Sequence, residues 1–198
     1  MKRVNLVLAA IFVFPFTFSQ TDQQKKDLEL FKNDYKIDGE NVIFTKVLED
    51  ITGTKDEIFT KVISYFAVAY KSANDVIQQQ DKDAGVIIGK GIFDVHKDSG
   101  FGWSLNVNCD HTIRVDIRDG RVRVVLSVNE YNWDIKGSQP SYNKYKIIDN
   151  YPINEKSKWN RKGYSDVFIG LCLTVNRVFN NIETSLKNEN PISGDDDW

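Results

Sequence analysis

The segment from Thr54 to Asp94 constrains the fold more than any other part of the sequence. It contains a helix pattern, a strand, a tight turn and a second strand, with almost no residues left between them. Thr54 is followed three residues later by Glu57, which is the spacing of a helix-capping box. Apolar residues then recur at the spacing of one helix face, which predicts an amphipathic helix. They are Ile58, Val62, Phe66 and Tyr70.

Two tight turns predict two antiparallel hairpins. The first, Asp81 to Gly85, lies between two strand-like runs. Its aspartate can bond to the backbone, and Gly85 can adopt a positive φ at little cost. The second turn is Asp119-Gly120, a dipeptide typical of two-residue hairpins. Apolar and polar residues alternate on both sides of it, which is typical of strands that are covered on one face only.

The remaining segments complete an α+β pattern. Residues 41–49 predict a strand, and the apolar spacing after residue 165 predicts a second amphipathic helix. Residues 129–163 are rich in Asn, Tyr, Lys and Ser, and they predict a long irregular segment or a weakly specified strand. The order strand, helix, several strands, helix predicts one α+β domain over residues 41–187. In it, a single antiparallel sheet carries two helices packed on one face.

The first 19 residues predict a secretory signal peptide. Lys2-Arg3 precedes an apolar run, and Thr17 and Ser19 place small residues at positions −3 and −1 of a cut before Gln20. The run is too short to span a bilayer as a stable helix. We therefore expect an exported protein, periplasmic or extracellular, with no stable membrane insertion after the signal is removed.

Two further segments are expected to lack fixed structure. Residues 20–40 are mostly polar and predict a mobile lead-in, and residues 188–198 predict a disordered acidic tail. The chain carries 26 Lys and Arg against 28 Asp and Glu, a formal net charge of −2. This balance argues against a nucleic-acid partner, because such a surface needs a basic excess.

Three parts of the sequence resemble a known family. They are Lys55–Phe59, the run Val76–Gln78 with Asp81–Gly91, and the turn Asp119–Arg123. They resemble an uncharacterised domain of exported bacterial proteins, described as a domain of unknown function with a TATA-binding-protein-like fold. The resemblance covers approximately residues 40–130 and implies a helix-on-sheet architecture. It implies no reaction and no catalytic residues, and the name of a fold does not imply DNA binding, because folds host unrelated functions.

The polar face of the second hairpin supplies most of the candidate ligand-binding residues. Five charged side chains share this face: Arg114, Asp116, Arg118, Arg121 and Arg123. An arginine patch with a central aspartate could bind an anionic ligand bidentately. It could equally be a solvated face whose Arg–Asp pairs only keep it soluble. Aromatic residues in polar sequence, Trp103 and Trp133 among them, could stack on sugars or a partner, or could cap edges of the core.

The sequence predicts no metal and no cofactor. Cys109 and His111 share the apolar face of their strand, and only Cys172 and His96 could join them, whereas a zinc site needs three or four protein ligands. We expect Cys109 and Cys172 to be buried in one layer, as two thiols more readily than as a disulfide. The glycines from Gly85 onwards lack the spacing of a phosphate-binding loop.

These observations predict a soluble, exported, non-enzymatic module. It would bind a partner protein, or an anionic or saccharide ligand, through its open sheet face and its aromatic loops. The alternative is a small hydrolase of the cell envelope. No nucleophile elbow, metal signature or spaced carboxylate pair supports that alternative, so no catalytic residue is assigned.

Overall fold

A computed structural model describes residues 20–70 and 76–187 of the chain. The predicted signal peptide and the predicted acidic tail lie outside these residues. The strands are β1 (Tyr35–Asp38), β2 (Asn41–Leu48), β3 (Ile77–Asp81), β4 (Val86–Gly100), β5 (Trp103–Arg118), β6 (Arg121–Val128), β7 (Glu130–Gly137) and β8 (Ser141–Lys146). The helices of the described ranges are α1 (Asp22–Phe31), α2 (Lys55–Ala69) and α3 (Arg161–Lys187), with a short 3-10 turn at Ile147–Asp149.

The strands form one antiparallel sheet of eight strands, in the order β1-β2-β6-β5-β4-β3. Strand β5 lies in the middle of the sheet, and it pairs with β4 along nearly the whole length of β5. On its other edge, β6 pairs with residues His111–Arg118 and β7 pairs with residues Trp103–Asn108. Strand β8 continues the sheet beyond β7.

One side of the sheet carries α2 and α3, and the core lies between these layers. Alternate residues of β5, among them Val107, Ile113 and Val115, are fully buried there. Two glycines of β4 let α2 approach closely. A Cβ at Gly89 would lie 3.1 Å from the Phe66 ring, and one at Gly91 would lie 2.7 Å from the rings of Tyr70 and His111. The predicted α+β fold, with a single antiparallel sheet and helices packed on one face, is confirmed.

The local signals found in the sequence act as predicted. Thr54 caps α2: its hydroxyl accepts from the Glu57 amide at 3.4 Å, and the Glu57 carboxylate accepts from the Thr54 amide at 2.8 Å. In the first hairpin, the Asp81 carboxylate accepts from a turn amide at 2.8 Å. Gly85 has a φ of 67° and Gly120 a φ of 66°, the left-handed conformation that favours glycine.

The expectation of a mobile lead-in over residues 20–40 was wrong. This segment contains α1, which begins with a capping box at Thr21, and β1, which pairs with β2. The polar composition misled because a polar side chain forms a buried contact with α3, beside the packing of Leu28 and Phe31 on the core. Gln24 is buried, and its amide donates to the Asp166 carboxylate at 2.5 Å and to the Lys162 carbonyl at 3.2 Å, both on α3.

For residues 129–163, the structure favours the strand alternative over the irregular segment. These residues contain β7 and β8, and only the part after the 3-10 turn lacks strands and helices until α3 begins. The two strands extend the sheet beside β5. None of the helices in the described ranges is long and apolar enough to cross a membrane.

Candidate functional site

The side of the sheet opposite α2 and α3 carries the predicted arginines, and no described element lies over them. We call this side the open face. Its side chains come from alternate positions of four strands: Ile43, Thr45 and Val47 on β2; Ile88, Lys90, Ile92 and Asp94 on β4; Asp110, Thr112, Arg114, Asp116 and Arg118 on β5; Arg121, Arg123, Val125 and Ser127 on β6.

The strand register brings the five predicted charged residues together. Asp116 lies directly opposite Arg123, and Arg118 lies directly opposite Arg121. Arg114 precedes Asp116 by two positions on the same strand and therefore lies on the same face. We call these five residues the arginine cluster. The sequence-based placement of Arg114, Asp116, Arg118, Arg121 and Arg123 on one surface is confirmed.

Asp116 is the centre of the arginine cluster and holds two guanidinium groups. Its Oδ1 accepts from Arg114 Nε at 2.8 Å and contacts Nη2 at 2.7 Å. Its Oδ2 accepts from Arg123 Nε at 3.0 Å and Nη2 at 2.8 Å. The Asp116 side chain is only 17% exposed. Burial raises the pKa of this carboxyl, but the hydrogen bonds from Arg114 and Arg123 outweigh burial, and the pKa is lowered.

The other two arginines of the cluster are poorly paired. Arg121 reaches Glu49 at 3.6 Å, between side chains that are 56% and 66% exposed. The Arg118 guanidinium forms no ion pair or hydrogen bond with any part of the chain that the structure describes. A pocket of about 130 Å³ lies here, lined by Val47, Asp116, Arg118, Arg121 and Arg123.

A wider depression lies next to the arginine cluster on the open face. It has a volume of about 590 Å³, and its lining includes Lys90, Asp110, Thr112 and Ser127. His111 also contributes to it, but the imidazole lies on the helix side of the sheet. There it stacks on Phe93 with ring centroids 3.5 Å apart, and its Nε2 lies 3.0 Å from the Tyr70 hydroxyl. These contacts indicate a core histidine.

The two tryptophans proposed as ligand-binding residues do not lie in the arginine cluster. Trp133 is 8% exposed and pairs with Val107, so its ring points to the helix side. It packs against Tyr164, with ring centroids 5.4 Å apart, in an aromatic group that closes one edge of the core. Trp103 is 44% exposed but precedes Arg114 by eleven residues on β5, about 35 Å at the usual rise of a strand.

The cysteines are buried, as the sequence predicts. Cys109 and Cys172 are free thiols within the same core. Burial raises the pKa of each thiol, so neither is a thiolate near neutral pH. Among the residues that the structure describes, no group of three His, Cys, Asp or Glu side chains could hold a metal ion.

The geometry defines a class of protein: an α+β domain whose antiparallel sheet is covered by helices on one side and carries an arginine cluster on the other. Residues 44–132 match the family model described as "Domain of unknown function (DUF4468) with TBP-like fold". This part of the chain is therefore similar to that family, and the resemblance found in the sequence is confirmed. No curated protein matches the chain.

Solved structures show the same fold. A TBP-like protein from Parabacteroides distasonis superposes with a TM-score of 0.59 at 15% identity, covering 77% of this chain and 97% of that one. A DUF4468 family protein from Bacteroides ovatus superposes with a TM-score of 0.61 at 16% identity, covering 80% of this chain and 95% of that one. At these identities the likeness concerns the fold alone.

Proposed function

We propose that this protein is an exported, non-enzymatic binding module, and that its open face holds an extended acidic segment of a partner protein. The observation that carries the proposal is the charge of this face. Its strand residues include five cationic side chains (the four arginines and Lys90) and three acidic ones, Asp94, Asp110 and Asp116, in a chain whose formal net charge is −2. A local excess of positive charge favours an acidic partner and speeds its association.

The shape and the apolar content of the open face also suit a peptide. The face follows β5 from Asp110 to Arg118, about 26 Å at the usual rise of a strand, which matches an extended peptide of about eight residues. Two aliphatic side chains are exposed beside the charges: Val47 at 40% and Ile92 at 64%. Arginine beside apolar surface is typical of protein–protein interfaces.

The other candidate ligands and activities fit this surface less well. A saccharide site needs an exposed aromatic ring to stack on, and neither Trp103 nor Trp133 lies beside the arginine cluster. A hydrolase needs an activated nucleophile. Within the described residues, the two thiols are buried and protonated, and His111 is enclosed by rings on the helix side of the sheet.

The test uses the chain from Gln20 onwards, labelled with nitrogen-15, and a blocked eight-residue peptide of alternating Glu and Val. The matched peptide replaces each Glu by Gln. We expect the acidic peptide to shift amide signals of β2, β4, β5 and β6, and we expect the shifts to weaken as salt is raised, because exposed charge contacts are screened.

Two outcomes contradict the proposal. In the first, the acidic peptide shifts signals of α1 or α3 instead of the open face, or the Gln peptide binds equally well. In the second, a single-stranded oligonucleotide of matched charge binds more tightly than the peptide, which would make this a nucleic-acid surface.

A further inference from the structure

We infer that Arg118, Arg121 and Arg123 form a subsite for one carboxylate group of the acidic partner, and that Asp116 positions Arg123 at its wall. The inference deepens the proposed function and rests on it. It assigns distinct roles to the charges of the open face: three arginines contact the ligand, and one aspartate fixes the geometry.

The first observation is an uncompensated pair of like charges. Arg118 and Arg121 lie directly opposite each other on β5 and β6, where like charges destabilise a sheet. Glu49 is the one carboxylate within 4 Å of either guanidinium in the described residues, and it reaches only Arg121. Neither ion pairing nor packing accounts for Arg118 at this place. A bound anion between the two arginines would remove their repulsion.

The second observation is the rigid placement of Arg123. Its Nε and one terminal nitrogen both bond to Asp116, which is fixed from the other side by Arg114. An arginine held in this way loses less side-chain entropy when it binds a ligand. Asp116 therefore does more than neutralise charge, because it aims a guanidinium at the pocket before the ligand arrives.

The third observation is the pocket itself. Its volume of about 130 Å³ suits a single small oxyanion group, and three of its five lining residues are arginines. Val47 forms an apolar part of the lining. Partial exclusion of water on that side strengthens charge-assisted hydrogen bonds. A guanidinium fork matches a carboxylate bidentately, which a lysine cannot do.

The decisive experiment compares four variants by their affinity for the Glu-Val peptide. Arg118→Ala should weaken binding by about tenfold or more, because a charge-assisted hydrogen bond is lost. Arg177→Ala is the matched control: it removes one exposed arginine from α3, outside the open face, and it should weaken binding by less than about threefold.

Asp116→Asn separates two explanations of the role of Asp116, because they predict opposite changes in affinity for the peptide. Asp116→Asn makes the open face more positive by one charge, so simple charge attraction would tighten binding. If Asp116 positions Arg123, the Asp116→Asn variant should instead bind the peptide more weakly, because the substitution releases the Arg123 guanidinium. Arg123→Lys keeps the charge and replaces an exposed side chain, so it keeps the fold while losing the fork, and it too should weaken binding. Tighter binding by Asp116→Asn, or unchanged binding by Arg123→Lys, overturns the inference.

Small probes separate this inference from the proposed function. Sodium acetate should shift the Nε signals of Arg118 and Arg121 with saturation, and the shift of the Arg121 signal should vanish in Arg118→Ala. Inorganic phosphate binding more than about tenfold tighter than acetate would overturn the carboxylate assignment.

If the peptide binds the open face but Arg118→Ala has no effect, the subsite fails and the proposed function stands. If acetate binds as described but the peptide does not, the proposed function fails alone.

Discussion

At the residue scale, the buried polar groups of this protein differ in whether they have hydrogen-bond partners. Asp116 is satisfied by four contacts with two arginines, whereas the Tyr131 hydroxyl and His111 Nδ1 have no hydrogen-bond partner in the described structure. A buried polar atom without a partner costs about 1–3 kcal/mol. These orphaned groups therefore lower the stability of the core, and the next two predictions follow from them.

His111 should make the stability depend on pH. Burial lowers its pKa to about 4, against about 6.5 in an unfolded chain. Between these values the unfolded chain binds the proton more readily, so stability is lost as the pH falls from about 6.5 to about 4. The shift corresponds to about 3 kcal/mol. In urea unfolding at pH 7 and pH 4.5, His111→Phe should show a smaller pH difference than the native chain. Parallel pH profiles would contradict this prediction.

The Tyr131 hydroxyl should be dispensable for stability. The side chain is fully buried and the oxygen has no partner among the described residues, so Tyr131→Phe removes an unpaired polar atom without changing the ring. We expect the variant to be as stable as the native chain, or up to about 1 kcal/mol more stable. Tyr70→Phe is the control: it breaks the 3.0 Å contact with His111 and should cost about 1 kcal/mol. A larger loss for Tyr131→Phe than for Tyr70→Phe would count against it.

At the element scale, the sequence specified those elements whose signals are local. The capping box at Thr54, the two turns and the alternation along β5 depend on residues close in the chain, and each was predicted. Helix α1 was missed because its contacts with the domain, which include the hydrogen bond from Gln24 to Asp166 and the packing of Leu28 on the core, join residues far apart in sequence. Strand β7 was left open between an irregular segment and a weakly specified strand, because its pairing with β5 depends on residues far apart in sequence.

The same distinction holds for the candidate site: local patterns predicted some of its features, and the features that depend on the whole sheet were missed. Period-two alternation placed the arginine cluster correctly, because it fixes the face of each side chain. It could not separate Trp133 from that cluster, since the partner of a strand and the side it buries depend on the whole sheet. It also could not show that Arg118 lacks a partner while Arg123 is held by Asp116, because that depends on the strand register.

A glycine in α3 should be required for the packing of this helix on the sheet. A Cβ at Gly170 would overlap the backbone carbonyl oxygen of Val95 on β4. In an exposed helix, Gly→Ala stabilises by about 1 kcal/mol. Here the backbone must move, so we expect Gly170→Ala to destabilise the domain by about 1–3 kcal/mol. Leu173→Ala, at a position of the same helix that is 51% exposed, should stay within about 0.5 kcal/mol in the same denaturant titration. A stabilised Gly170→Ala variant would show that α3 does not pack this closely.

At the scale of the whole molecule, the first described residues bind to the rest of the domain. Gln20 donates from its side-chain amide to Ser165 on α3 at 2.6 Å, and Thr21 caps α1. A cut before Gln20 therefore keeps every contact described for α1. A cut further along would remove the cap or the helix itself, and with it the buried Gln24 that bonds to α3.

The last prediction concerns maturation. Protein expressed with its full sequence in a secreting bacterial host should be recovered outside the cytoplasm, with an N-terminus at or next to Gln20. The chain that starts at Gln20 should unfold at the same denaturant concentration as this exported product. A chain that starts at Tyr35 lacks α1 and should unfold at a lower denaturant concentration, because the hydrogen bonds from Gln24 to α3 are lost. N-terminal sequencing and urea titration of the three proteins check these points. An intact Met1 on the folded, recovered protein would show that the first 19 residues are not a cleaved signal.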